Sequence, residues 1–173
     1  MEEVQHVNQD DEPTFFDEFD SKALQQQMDL QMRVAAYAKK ARHDEILLVL
    51  QIFDDLVDDE RVMHSNHNLI ATLAIRSRHF GGNLWVATQK FRALANIIRV
   101  NLTAIFVWPA LSNRLERKAI LEEISGRYSP EQIEEMLQHV SQRPYGFLFA
   151  DLKSVDPDRM FQDSLLQYLR PSD

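Results

Sequence analysis

The sequence predicts an α/β fold, a mainly parallel sheet flanked by helices. Three observations predict it. Short, nearly continuous apolar runs fit strands buried on both faces: ILLVLQIF at 46–53, LWVAT at 84–88, TAIFVW at 103–108 and YGFLFADL at 145–152. Segments with helical periodicity lie between them. Strand and helix alternate in chain order, which is the pattern of crossover units.

Each element has a local justification. Residues 1–20 read as irregular, with Phe15, Phe16 and Phe19 as docking points, and the domain proper spans 21–173. Residues 21–43 are rich in helix formers, contain neither Gly nor Pro, and keep Leu24, Met28, Gln31, Ala35 and Ala38 to one face. Residues 66–79 form a helix with Leu69, Ile70, Leu73 and Ala74 inward, broken by Gly81-Gly82-Asn83. KFRALANIIR, 90–99, returns as a helix, and Pro109 stops the strand at 103–108. Asn113 and Glu116 have capping-box spacing and open a helix to about Ser125. Ser129-Pro130-Glu131-Gln132 is a stronger start signal, for a helix to about Gln142. An amphipathic helix over 158–169 closes the chain. Trp85 and Trp108 are expected in the core.

Composition removes several classes of function. At 173 residues and 20.2 kDa, with 45% hydrophobic and 27% charged residues, the chain is an ordinary globular domain. It has no cysteine, so thiol catalysis, disulfides, Fe–S clusters and zinc fingers drop out together. No apolar run approaches the roughly 20 residues that span a bilayer. The acidic start, MEEVQHVNQDDE, is neither a secretory signal nor a transit peptide, so an intracellular soluble protein without membrane partners is expected.

Charge is unevenly placed. Eight acids and no Lys or Arg fall in residues 1–20, which account for the whole net charge of -8. Residues 76–118 carry eight bases (Arg76, Arg78, Lys90, Arg92, Arg99, Arg114, Arg117, Lys118) against Glu116 alone. Such a span is either a phosphate-facing surface, with double-stranded DNA as partner, or a solvated face balanced by acids brought near in the fold.

Ligands of parallel α/β sheets sit beyond the carboxyl ends of the strands. ILLVLQIF delivers Asp54 and Asp55 to that edge, and LWVAT delivers Thr88 and Gln89. An apolar strand ending in two acids is the Walker B pattern of nucleotide triphosphatases. The first acid can hold Mg²⁺ through its water shell and the second can orient or deprotonate the attacking water. A neighbouring Gln can sense the γ-phosphate or position that water. His64-x-x-His67 with Asp59 or Glu60 is a weak metal pattern that more often marks surface histidines.

The stretch from Leu47 to about Val155 resembles the C-terminal part of the poxvirus-type genome-packaging ATPases of large DNA viruses, in the FtsK–HerA superfamily. The matching pieces are LLVLQIFDDLV, IRSRHFGGNLWVATQKFRALANIIRVNLTAIFVW and FLFADLK. The resemblance implies a truncated RecA-like P-loop NTPase core. It makes Asp54 the Mg²⁺-side acid, Asp55 the catalytic acid and Gln89 the sensor. Arg78 and Arg99 become candidates for an arginine reaching phosphates, including those of a neighbouring subunit. DNA translocation, ATP with Mg²⁺, and a homo-oligomer or association with related ATPase subunits follow, in a host cytoplasm or nucleus or with the virion.

One element of that family is not in these residues. The four glycines, Gly81, Gly82, Gly126 and Gly146, start no GxxxxGK[ST]. The backbone amides and lysine that cradle a triphosphate are therefore lacking. Two functions follow as expectations: the Walker-B and sensor portion of a DNA-packaging or translocating ATPase, inactive alone, or a non-catalytic module that associates with ATPase subunits. Mg²⁺ and ATP bind only if a P-loop completes the site. An open slot is expected between the strands at 84–88 and 103–108.

Overall fold

The computed structural model describes residues 14–42, 47–55, 69–111 and 113–171. Helix α1, Ser21–Ala41, starts where Asp20 accepts hydrogen bonds from the amides of Lys22 and Ala23. It buries Leu24, Met28 and Gln31, as the periodicity requires. Gln31 is polar yet 3% exposed, because its amide donates to the carbonyls of Leu47 (2.7 Å) and Phe80 (2.9 Å). It thereby ties α1 to the backbone entering two strands. Phe19, just before α1, stacks on Phe53 at 6.2 Å, whereas Phe15 and Phe16 are exposed.

Strand β1, Val49–Asp54, pairs in parallel with β2, Gly82–Ala87, from Val49↔Gly82 to Asp54↔Ala87. Between them α2, Leu69–Arg76, buries Ile70, Ala71 and Leu73. The turn into β2 uses Gly81 at φ 74, where a side chain would be strained, and the Gly81 carbonyl accepts from the Val49 amide. His64, His67, Asp59 and Glu60 lie outside the described residues.

The helix expected over 90–99 is broken. A 3₁₀ turn, Phe91–Ala93, precedes the four-residue α3, Asn96–Arg99, with Leu94 extended between them. The cause is tertiary. Glu116, 24 residues further along the chain, accepts from the Arg92 amide at 2.9 Å and holds the first turn from outside, while Phe91, Leu94 and Ala95 are buried.

The remaining strands form a second, antiparallel sheet in the order β3-β4-β5: Ala104–Val107, Leu148–Asp151 and Phe161–Asp163. The described residues thus make a mixed α/β fold with two small sheets rather than one mainly parallel sheet. β2 and β3 do not pair, and almost every Cα separation between them exceeds 8 Å, against about 4.8 Å for neighbouring strands. Helix α4, Arg114–Ile124, packs on the Phe91–Ala93 turn and on α5, Pro130–Ser141, which in turn packs on β4. α5 has the full capping box of Ser129 and Gln132. In α4 Asn113 caps as expected, but the Glu116 side chain turns away to Arg92 instead of closing the box. Arg117 and Glu134 join the two helices through paired hydrogen bonds of 2.6 and 2.9 Å. Those bonds hold the Glu134 carboxyl below its usual range and raise the Arg117 guanidinium.

The closing helix expected over 158–169 does not form. Pro157–Arg159 is a 3₁₀ turn, β5 follows, and the chain doubles back so that Tyr168 bridges to Gln162. Asp163 organises this reversal. It is 1% exposed, accepts from the amides of Leu165 and Gln167, and pairs with Arg143 at 2.8 Å. Burial alone would raise its carboxyl. The Gln167 and Leu165 amides and the Arg143 guanidinium outweigh burial and hold it below the usual range.

All of these helices lie against one side of the strands. Gln51, Phe53, Leu84, Val86, Val107, Leu148 and Ala150 face them, while Leu50, Ile52, Trp85 and Phe106 are exposed on the other side. The expectation of strands buried on both faces is corrected accordingly, and so is the placing of Trp85 and Trp108 in the core: they are 57% and 52% exposed. On the covered side Gln51 is 6% exposed, and neither its Nε2 nor its Oε1 has a hydrogen-bond partner among the described residues.

Two stability predictions follow. Asp163→Ala lowers unfolding free energy by about 2–3 kcal/mol, since two amides and a guanidinium lose their acceptor. Because the folded carboxyl is depressed, its contribution is complete above the ordinary Asp value of about 3.9 and is lost as pH falls through the folded value. Urea titrations should show the gap between the two proteins narrowing only below that pH. Conversely, Gln51→Leu raises stability by about 1 kcal/mol, by removing two buried polar atoms that have no partner. Loss of stability in the same titration would refute this.

Candidate functional site

The parallel register brings the carboxyl ends of β1 and β2 side by side. Asp54 stands opposite Ala87, and the Asp55 amide donates to the Ala87 carbonyl at 3.1 Å, extending the ladder one residue past the strand. Asp55 takes φ 49, in the left-handed region, so the extended backbone of β1 ends at the acid pair. Gln89 follows Ala87 by two residues. Its loop is shaped by Thr88, whose hydroxyl accepts from the Lys90 amide at 3.0 Å. The Glu116 carboxylate then fixes the Arg92 amide, anchoring the far side of the loop to α4. Asp54, Asp55 and Gln89 are all exposed.

The two arginines sit differently. Arg78 lies in a 3₁₀ turn, Ser77–His79, that leads into the amino end of β2. The six residues of β2 separate it from the acid pair, roughly 20 Å along the strand. Within one chain it serves the opposite end of the ladder, so phosphates near its own Asp54 are out of its reach. Arg99 ends α3 with its guanidinium 5.9 Å from the Phe91 ring centroid. Its Nε is buried and has no hydrogen-bond partner among the described residues. Packing on Phe91 is the role the structure gives it.

The basic span is partly spent inside the fold. Arg117 is committed to Glu134 and to the Pro109 carbonyl, and Lys118 lies 3.6 Å from Glu122. Arg76, Arg78, Arg92 and Arg114 are exposed. Removing Arg117 would therefore disturb the α4–α5 contact, which makes it unsuitable as a probe of DNA binding.

Chemically, the edge offers two exposed carboxylates and an amide. Hard oxygen donors of this kind suit Mg²⁺ held through water, since Mg²⁺ takes one or two carboxylates and keeps its own shell. They do not suit a triphosphate by themselves, because they add negative charge and no amide cradle. Among the described residues no group of three or more His, Asp or Glu is placed to hold a metal directly. No described helix is long and apolar enough to cross a membrane.

Sequence reasoning put Thr88 at the strand end and Glu116 in a capping box, but missed that both shape the Gln89 loop through backbone amides. The sequence carries no signal for such bonds beyond a polar residue near a turn. It also missed the exposed aromatic side of the sheet. There the signal was present: Phe106-x-Trp108 and Phe147-x-Phe149 alternate aromatics with a period of two. No known protein-family model matches the chain, and no curated protein matches it significantly.

The strained turn is directly testable. A residue with a Cβ in the left-handed region costs about 1–2 kcal/mol, more when β-branched. Asp55→Val should lower stability by about that amount. Asp55→Gly should leave it unchanged or raise it by up to about 1 kcal/mol. Equal effects of the two substitutions in chemical denaturation would deny the strain.

Proposed function

We propose that this chain is the Walker-B and sensor side of a DNA-packaging or translocating P-loop ATPase, unable to turn over ATP alone. The observation that supports it is the side-by-side placing of the carboxyl ends of β1 and β2, which gathers Asp54, Asp55 and Gln89 at one edge. In this reading Asp54 holds Mg²⁺ through water and Asp55 orients the attacking water. Gln89 senses the terminal phosphate from a loop that Thr88 and Glu116 keep in place. The phosphate cradle comes from a P-loop outside residues 1–173. In the same reading Arg78, at the other end of the ladder from its own Asp54, would serve a neighbouring subunit's nucleotide. Double-stranded DNA would meet the exposed Arg76, Arg92 and Arg114.

A second reading has one observation in its favour. The exposed apolar side of the sheet suits a non-catalytic module that associates with another protein surface. In that case the acid pair is only a polar strand end.

Divalent-metal titration separates the two. Mn²⁺, which replaces Mg²⁺ at oxygen sites, should broaden the NMR signals of Asp54, Asp55 and Gln89 ahead of other residues, and Asp54→Asn should abolish this. Steady-state ATP hydrolysis by the chain alone should be undetectable. Uniform broadening at all surface acids would remove the Walker B reading, and robust turnover would show that the phosphate cradle is dispensable.

A further inference from the structure

The outer side of the two sheets carries a continuous apolar row. Ile52 and Trp85 are register partners across the parallel pair, and Phe106 and Phe149 are register partners across the antiparallel sheet. The Trp85 and Phe106 rings approach to 6.3 Å, so the row crosses the gap between β2 and β3. Leu50 and Trp108 widen it; Leu50, Ile52, Trp85, Phe106 and Trp108 are each 44–61% exposed. None of the described helices covers this side. At about half exposure these side chains present on the order of 600 Å² of apolar surface. That is the upper limit of what monomers ordinarily leave in water, and most of the roughly 800 Å² each partner gives to a standard interface.

We propose that this face is the interface of a two-fold homodimer, in which the sheets of two copies pack face to face as a sandwich. The area is the argument. Two such faces together bury about 1,200 Å² of apolar surface alone, before any polar rim is added, which reaches the range of stable dimers. The face is also self-complementary in chemistry. Its central row is apolar along four strands, and the acids on the same side, Asp54 and Asp151, stand at the strand ends, so charge falls at the rim of the contact and not in its centre. Aligned sheets pack about 10 Å apart through such side chains. An isologous contact closes on itself and stops at two copies. The net charge of -8 opposes association at long range, so added salt strengthens the dimer by screening. This inference stands apart from the acid pair and survives the failure of the ATPase reading.

The chain contains its own reporter, because both of its tryptophans, Trp85 and Trp108, lie in this face. Sedimentation velocity and tryptophan emission should be followed together over a concentration series at low and high salt. The expected result is a monomer–dimer equilibrium that tightens with salt, with emission moving to the blue as dimer forms. Trp85→Glu and Phe106→Glu should each raise the dissociation constant about 100-fold, as loss of a central aromatic anchor does. Both should keep the wild-type far-UV circular dichroism, because these side chains lie outside the helix-covered core. Val155→Ser, an exposed apolar position outside the row, should leave the dimer unchanged. A monomer with solvent-like emission at all concentrations would overturn the proposal and leave the face to a different partner. So would a dimer indifferent to both glutamates, a dimer that weakens with salt, or assembly that runs past two copies.

Discussion

The parallel ladder between β1 and β2 is short, six Cα pairs from Val49↔Gly82 to Asp54↔Ala87, and among the described residues no third strand flanks it. A two-stranded unit is marginal in water unless something packs on it. Here Gln31 supplies the hold. From inside α1 its amide reaches the Leu47 and Phe80 carbonyls, one before each strand, and sets both strands at the same height against the helix. Phe53 and Phe19 secure the other end of β1. The meeting of Asp54, Asp55 and Gln89 at one edge depends on that register, since a shift by one residue would turn the outer side chains inward.

The second sheet is organised from its far end. Asp163 gathers two amides and a guanidinium in a site almost closed to water, and the reversal it stabilises makes β5 possible. β5 in turn covers the free edge of β4, which would otherwise be open to pairing. Among the described residues the connection between the sheets is made by side chains and not by backbone bonds. Glu116 ties the loop after β2 to α4, and Trp85 meets Phe106 on the outer side. The gap leaves Leu84, Val86 and Ile105 only partly buried, although they point toward the helices.

The exposed aromatic side and the acidic edge are two consequences of one arrangement. Because the helices cover only one face, strands rich enough in apolar residues for double coverage present half of them to water. Ile52, two residues before Asp54, and Trp85, two before Ala87, place that apolar row immediately next to the acid pair. Whatever settles on the row therefore sits beside Asp54 and Gln89 and changes their exposure.

How much was legible in the sequence follows from which forces are local. The long helix at Ser21–Ala41, the capping box at Ser129, the stop at Pro109 and the strand cores were readable, because propensity, caps and period act over a few residues. The acid pair and Gln89 at strand ends were readable for the same reason, and their adjacency needed only that the two strands run parallel. Three things were decided by the tertiary structure. The segment 158–169 is amphipathic enough for a helix, but buried Asp163 offers its amides better partners in a turn. The segment 90–99 breaks where Leu94 turns extended, with the first turn held from outside by Glu116, 24 residues further on, at the Arg92 amide. And an apolar strand does not state whether one face or two will be covered, since that depends on where the helices land. The sequence by itself determined the four longer strands, the longer capped helices and the polar residues at their ends; the form of 90–99 and 158–169, the pairing of strands, the split into two sheets and the bare face came from contacts between residues far apart in the chain, which no local pattern encodes.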